Sequence, residues 1–235
     1  LDDGTLVLGP RAALMRDTAG RLWVGTRNGV IYQDGETWGR FPLKADDTGL
    51  EVYALTPDGE GGLWVGTNEG VFYAADYEQG GLPVVQHRAR QNGLVNDYVR
   101  VVTVDQDRGV WLGTIAGVSR HFGLVWQVER DPALEQQRIN ALLLDSAGRT
   151  WAGTELNGLA VLQEDRWEHL TSQNGLPDDR IVSLYEDSAG RIWVGTLTAV
   201  GYWQNGEGWR FFDAATPGLA GVPVYDFEQD ARGSL

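Results

Sequence analysis

Short apolar runs of about five residues alternate along this chain with polar stretches rich in Gly, Asp and Asn. Residues 192–194 (Ile-Trp-Val) are typical: β-branched and aromatic residues favour a strand. The preceding Asp187 can bond to its own backbone, and Gly190 can adopt a positive φ, as a tight turn requires. No stretch of any length shows the period of an amphipathic helix, so the pattern predicts an all-β chain of short antiparallel strands.

This turn-and-strand segment is one copy of a repeat. The sequence DSAGRIWVGT at residues 187–196 has counterparts at 17–26, 58–67, 105–114 and 145–154. Its Trp recurs at spacings of 41, 47, 40 and 42 residues, and a period near 40 indicates a repeat architecture. We interpret the shared residues as structural: Asp17, Trp23, Asp58, Trp64, Asp105, Trp111, Asp145, Trp151, Asp187 and Trp193.

Each repeat predicts four strands. The first ends at the turn Asp, the second carries the Trp, the third follows a small turn that usually contains Gly, and the fourth usually carries a second Trp. Four short antiparallel strands per unit of about 41 residues are the pattern of a β-propeller blade. A β-solenoid is the alternative fold, but its repeats usually have a shorter period.

The sequence therefore predicts one domain, residues 1–235, with five full blades and a partial sixth formed by the two termini. The predicted blades span 11–50, 51–97, 98–137, 138–179 and 180–222, and residues 223–235 join 1–10 in the closing blade. Its first strand is expected at 224–229 and an outer strand at 5–8. A sixth copy of the turn begins at Asp230, and its Trp would lie past Leu235. Two alternatives stay open: a small ring with a reduced closing blade, or a fragment of a larger propeller.

Composition narrows the classes of partner. A net charge of −14 argues against nucleic acid and anionic membrane, both of which attract a basic surface. The absence of Cys excludes disulfides and Cys metal sites, and no apolar run is long enough to insert into a membrane.

The repeat resembles a known family. The pattern Asp-x-x-Gly-x-Leu/Ile/Val-Trp-Val-Gly-Thr, with the Asn-Gly-Leu-Pro loop at 174–177, is similar to the two-component regulator propeller repeat over about residues 11–235. In that family such blades form the extracytoplasmic sensor of bacterial hybrid histidine kinases, and they also occur in other envelope or secreted proteins. The resemblance implies a periplasmic or extracellular location. The family's β-sandwich, transmembrane helix and kinase parts are not recognisable in this sequence.

Shared acids and scattered histidines do not suggest catalysis. One turn Asp per blade cannot converge on a single ion, because Ca²⁺ requires six or more oxygen ligands. His87, His121 and His169 fall in three different blades, so we expect no metal and no cofactor. There is also no nucleophile elbow and no phosphate-binding loop.

Functional residues of propellers tend to lie on loops at one face. We expect the loops that lead into the first strands to carry the ligand site. The candidates are Glu51, Tyr53, Asp97, Tyr98, Arg100, Arg138, Asn140, Asp179, Arg180 and Tyr225. If Arg100, Arg138 and Arg180 point inward, they form a positive spot suited to a carboxylate or sulfate.

We therefore expect a non-enzymatic recognition propeller that binds a small polar or anionic ligand, an oligosaccharide included, or a protein partner. Two alternatives remain open. One is a propeller enzyme, either a glycan-active hydrolase or a lyase like those that inactivate streptogramins, which would need convergent His and carboxylate groups. The other is a structural subunit of a larger assembly, which an exposed sheet edge would favour.

Overall fold

The computed structural model describes residues 13–77, 84–105, 108–122, 125–212, 223–230 and 232–235. Within these ranges the chain forms β-strands and a short 3-10 helix, Arg90–Asn92, but no α-helix. The strands make five four-stranded antiparallel sheets, each ordered from its first strand to its fourth along the chain. The all-β prediction is thus confirmed. We call the sheets blades 1 to 5.

The described residues fall into two compact units. The first comprises the described residues up to Thr114 and Ser119–Val128, and the second comprises Ile115–Val118 and the described residues from Glu129 onward. The strands of blades 1 to 3 are β1 (Leu14–Arg16), β2 (Leu22–Thr26), β3 (Gly29–Asp34), β4 (Thr37–Phe41), β5 (Val52–Pro57), β6 (Leu63–Thr67), β7 (Gly70–Ala75), β8 (Val84–Arg88), β9 (Val99–Val104), β10 (Val110–Thr114), β11 (Gly117–Phe122) and β12 (Val125–Val128). Those of blades 4 and 5 are β13 (Ile139–Leu144), β14 (Thr150–Thr154), β15 (Leu159–Gln163), β16 (Arg166–Leu170), β17 (Ile181–Glu186), β18 (Ile192–Thr196), β19 (Val200–Gln204) and β20 (Gly208–Phe212).

Blades 1 to 5 follow the predicted strand pattern, whereas the sixth position differs from it. Residues 224–229 do not form the predicted strand, because no described strand pairs with them in a ladder. The strand predicted over residues 5–8 lies outside the described residues. The blade boundaries, the single domain and the partial closing blade stay predictions.

A buried carboxylate organises the turn between the first two strands. Asp187 accepts the backbone N–H of Ala189 and Arg191 through Oδ1, at 2.9 and 3.0 Å. Its Oδ2 accepts Arg191 Nε at 2.6 Å and the indole Nε1 of Trp193 at 2.7 Å. Burial alone would raise the pKa of Asp187, but the bonds from Trp193 and Arg191 outweigh it and lower the pKa below 3.8.

The same arrangement recurs in other blades. The indole of Trp23 donates to Asp17 at 2.8 Å, and that of Trp151 donates to Asp145 at 2.7 Å. In blade 2, where Gly62 replaces the Arg, Tyr73 Oη donates to Asp58 Oδ2 at 2.8 Å instead. In blades 1, 2, 4 and 5 the repeated Asp thus accepts hydrogen bonds from its own turn and from a side chain on a neighbouring strand.

The repeated Trp also packs between neighbouring blades of the same unit. In the first unit, the Trp23 ring lies 5.1 Å from the ring of Tyr77, which follows β7. In the second unit, the Trp151 ring lies 5.7 Å from Trp203 and 6.2 Å from Trp209 in blade 5. Buried aromatic rings contribute large apolar areas, so these contacts bind one sheet face to the next.

The Gly of the Trp-x-Gly-Thr segment makes room for the next first strand in blades 2 and 4. A Cβ on Gly66 would lie 2.9 Å from the carbonyl oxygen of Val99. A Cβ on Gly153 would lie 2.5 Å from Cγ2 of Ile181. This close approach explains why a residue without a side chain recurs there.

Replacing Gly153 by Ala should destabilise the fold by about 1–3 kcal/mol, because the added methyl group overlaps Ile181 and the packed faces must separate. Urea unfolding at neutral pH measures the loss. Gln163→Ala, at an exposed position on β15, is the control and should change the free energy of unfolding by less than about 0.5 kcal/mol. Equal stabilities of the two variants would contradict the packing role.

Replacing Asp187 by Asn should lower the free energy of unfolding at pH 7 by roughly 2–3 kcal/mol, because a charged acceptor of several donors is lost. The pKa of Asp187 is lowered in the fold, so its contribution is present above pH 3.8 and is lost as pH falls through the folded pKa. Urea unfolding at several pH values should show the difference between variant and parent narrowing below pH 4. Asp165→Asn, at an exposed turn with φ 60°, is the control and should leave the free energy of unfolding unchanged both at pH 7 and below pH 4.

Candidate functional site

A β-bulge opens the first strand of four blades. The pairing of β5 with β6 shifts register between Val52 and Ala54, which leaves Tyr53 as the extra residue. The corresponding extra residues are Arg100 in blade 3, Asn140 in blade 4 and Val182 in blade 5. A bulge redirects the side chain of its extra residue, and bulges are common beside functional sites. Three of these four residues are among the sequence-predicted candidates.

In the first unit, the structure brings Glu51, Tyr53, Tyr98 and Arg100 together. Tyr53 Oη donates to Glu51 Oε2 at 2.6 Å, and the Arg100 guanidinium carbon lies 5.9 Å from the centre of the Tyr53 ring. Burial, followed by the hydrogen bond and charge of Glu51, raises the pKa of Tyr53, so its phenol remains a hydrogen-bond donor at neutral pH. The Tyr98 side chain is 44% exposed and so is accessible from solvent.

In the second unit, the structure assembles Arg138, Asn140, Glu155 and Arg180. Glu155 accepts a hydrogen bond from Asn140 Nδ2 at 2.7 Å through Oε2 and forms an ion pair with Arg180 through Oε1. Asn140 Nδ2 also lies 3.0 Å from the backbone oxygen of Ile181, which ties the bulge of blade 4 to blade 5. The backbone N–H of Glu155 donates to the carbonyl oxygen of Arg138 at 2.9 Å.

The charges of this second group do not cancel. Burial alone would raise the pKa of Glu155, but the Asn140 bond and the charges of Arg180 and Arg138 lower it. Glu155 is therefore ionised at neutral pH, and two guanidinium groups face one carboxylate. The Arg138 residue is exposed, so it can meet a ligand from solvent.

Two of the predicted acids accept hydrogen bonds within their own loops. Asp97 Oδ1 accepts the backbone N–H of Arg90 at 2.6 Å. Asp179 accepts the N–H and the hydroxyl of Ser172 at 2.6 and 2.9 Å. Both carboxylates close the loop before a first strand. Tyr225, 62% exposed, lies in the irregular segment 223–230 rather than at a bulge.

Sequence reasoning missed Glu155. The residue directly follows a Trp-x-Gly-Thr segment, in the loop before the third strand, and the same position holds Asn68 in blade 2. Asn68 Oδ1 accepts the N–H of Glu51 at 2.9 Å, so in both units this loop contacts the start of a first strand. The sequence did contain a signal for this position, because it differs between the copies of the repeat whereas the Gly-Thr before it does not.

His121 and His169 lie in different units. No cluster of three or more His, Cys, Asp or Glu residues in the part of the chain that is described could hold a metal ion. His169 Nε2 lies 3.2 Å from Asp131 Oδ1 in the second unit. In the first unit, burial and then the charge of Arg88 lower the pKa of His121.

Comparisons with known proteins agree with the repeat. Residues 47–69 and 175–198 match the model of the two component regulator propeller family, which confirms the resemblance for these two segments. No curated protein matches the chain. None of the described residues belongs to a helix of the length and apolarity that a bilayer span requires.

Solved structures share the fold at low sequence identity. The extracellular domain of a hybrid two component system from B. thetaiotaomicron matches at 23% identity and TM-score 0.81, over 97% of this chain and 32% of that one. Virginiamycin B lyase from Staphylococcus aureus matches at 12% identity and TM-score 0.69, over 88% of this chain and 70% of that one.

A third match is PorZ, a surface component of the type-IX secretion system of Porphyromonas gingivalis, at 18% identity and TM-score 0.64, over 78% of this chain and 30% of that one. The chain thus spans about a third of the length of the two-component protein it resembles. The likenesses show that the fold of this chain is a β-propeller fold.

Replacing Glu155 by Gln should change the free energy of unfolding by less than about 1 kcal/mol, because its ion pair with the 41%-exposed Arg180 side chain is well solvated. Chemical denaturation at neutral pH measures this. Asp145→Asn, which disrupts a carboxylate with no exposed side-chain area, is the matched comparison and should be clearly more destabilising. A large loss in Glu155→Gln would mean that this group is structural.

Proposed function

We propose that this chain is a non-enzymatic recognition module, a sensor-type β-propeller that binds a small anionic or polar ligand in the periplasm or outside the cell. The observation that carries the proposal is the group Arg138, Asn140, Glu155 and Arg180, placed by a β-bulge at the start of blade 4 and the loops beside it. The likeness to the extracellular domain of a two-component system supports the sensor class and the location.

The chemistry of the group favours an anion. Two guanidinium groups and one carboxylate leave a net charge of +1 on a protein whose overall charge is −14. Arg presents a rigid fork of donors that matches carboxylate and sulfate oxygens. Asn140 supplies an amide beside it, of the kind that orients polar ligands.

Glu155 acts in this proposal as an internal counter-ion. Its carboxylate occupies donors of Arg180 and Asn140 that a ligand carboxylate could otherwise use. An anionic ligand therefore binds first at the exposed Arg138 and competes with Glu155 for Arg180. A protein partner would use the same residues through an acidic side chain.

Binding of a uronic-acid disaccharide and of sulfate, followed by NMR titration, tests the proposal. Arg138→Ala should weaken binding by roughly tenfold, the scale of one charged hydrogen-bonded contact, and Glu155→Gln should strengthen it. Arg166→Ala, which removes an exposed charge from the outer strand of blade 4, is the control and should leave binding unchanged.

The enzyme alternative rests on the likeness to virginiamycin B lyase. Incubation of the chain with virginiamycin B and with the disaccharide, followed by mass spectrometry, should return both compounds intact. Turnover of either compound would contradict the non-enzymatic proposal. If neither Arg138→Ala nor Glu155→Gln changes the affinity for the ligand, the proposed site is contradicted.

A further inference from the structure

An exposed leucine follows Glu155 directly in the loop between β14 and β15. The Leu156 side chain is 66% exposed. A single exposed apolar side chain is ordinary on a protein surface, so exposure alone assigns Leu156 no role. Its position relative to the proposed ligand group is what distinguishes it from other exposed apolar residues of the chain.

The loop that carries this leucine is fixed by hydrogen bonds. The N–H and the hydroxyl of Thr154 both donate to the carbonyl oxygen of Gly158, at 3.0 and 2.8 Å. The N–H of Asn157 donates to Thr154 Oγ1 at 2.8 Å, and Asn157 Nδ2 donates to the carbonyl oxygen of Ala133 at 3.3 Å. Leu156 is thus exposed on a loop that is hydrogen-bonded on both sides of it.

This loop lies between the two segments that carry the guanidinium groups. On one side, the N–H of Glu155 donates to the carbonyl oxygen of Arg138 at 2.9 Å. On the other side, the N–H of Gly158 donates to the carbonyl oxygen of Asp179 at 2.8 Å, one residue before Arg180. The exposed leucine therefore belongs to a loop with one cationic residue on either side.

Neighbouring loops of the second unit also carry aliphatic residues. The first position after Gly-Thr holds Ile115 in blade 3 and Leu197 in blade 5, and both residues are partly exposed. In the first unit, the two positions after Gly-Thr hold polar residues, which are 27–28 (Arg-Asn) in blade 1 and 68–69 (Asn-Glu) in blade 2. Apolar and cationic residues thus occur together at the loops of the second unit.

Charge limits the kind of anion that this group can attract. The chain as a whole has a net charge of −14, which repels a ligand with several negative charges more strongly than a ligand with one. A hydrophilic anion such as sulfate would also leave Leu156 in water. An apolar group on the ligand would remove surface of Leu156 from water, and that burial is favourable in proportion to the area covered.

We propose that the ligand of this group is a carboxylate that carries an apolar side chain, as at the C-terminus of a short peptide that ends in Leu. The inference rests on the proposed function and names the class of anion. The ligand carboxylate pairs with the Arg138 guanidinium, its amide bonds to Asn140, and its apolar side chain packs on Leu156.

NMR titration of the full chain with three N-acetylated dipeptides tests the inference. Acetyl-Ala-Leu should bind roughly tenfold more tightly than acetyl-Ala-Ser, because only the Leu side chain of the ligand covers Leu156. Acetyl-Ala-Leu-amide has no carboxylate and should bind at least roughly tenfold more weakly than the acid. Sulfate is titrated in parallel as an anion without an apolar group.

The variant Leu156→Ser should bind the Leu and Ser dipeptides with equal affinity, because the apolar contact is gone. The leucine side chain is already exposed, so we expect the variant to unfold at the same urea concentration as the parent. Leu14→Ser, at a 61%-exposed position on β1, is the matched control and should keep the preference for the Leu dipeptide.

The inference is overturned if the Leu and Ser dipeptides bind the parent equally, if the amide binds as well as the acid, or if Leu156→Ser keeps the preference. In those cases, sulfate binding that is lost in Arg138→Ala would still support the proposed function. If no anion binds in a way that depends on Arg138, the proposed function is contradicted as well, so the two failures can be told apart.

Discussion

The fold depends on one hydrogen-bonded carboxylate per repeat, which is buried at Asp17, Asp145 and Asp187. The turn Asp accepts hydrogen bonds from backbone N–H groups of its own turn. In three blades it also accepts one from an Arg side chain and one from the indole of the Trp, as Asp187 does from Arg191 and Trp193. A buried charge is tolerable only when its hydrogen bonds are made, and here the bonds also fix where the Trp ring points. The ring in turn fills the space beside the neighbouring blade, so a local turn determines how sheets of one unit pack.

The turn residues recur from blade to blade, whereas other positions differ between blades. The first strand opens with a bulge in four blades, and its extra residue is Tyr, Arg, Asn or Val, according to the blade. In blade 4 the bulge residue Asn140 lies next to Glu155, in the loop after Trp-x-Gly-Thr, which also varies between copies.

Charged side chains make up most of the polar group in the second unit. Glu155 joins Arg180 and Asn140 through an ion pair and a hydrogen bond, and Arg138 beside them is exposed. An ion pair that is partly exposed contributes little to stability, which is why we place the proposed ligand group here rather than at the buried turn carboxylates.

The sequence by itself determined the blades. The order of four antiparallel strands in each of the five sheets followed from the repeat, because each strand depends on interactions within a few residues and on a packing face that the copies share. It also located the loops of the candidate site.

Only the tertiary structure decided which loop residues meet. Asp97 and Asp179 close loops, since their nearest donors are local, while Glu155 joins Asn140 and Arg180 from separate strands and loops. The sequence likewise predicted a strand at residues 224–229. A strand needs a partner to pair with, and that is a property of the neighbouring backbone rather than of the segment itself.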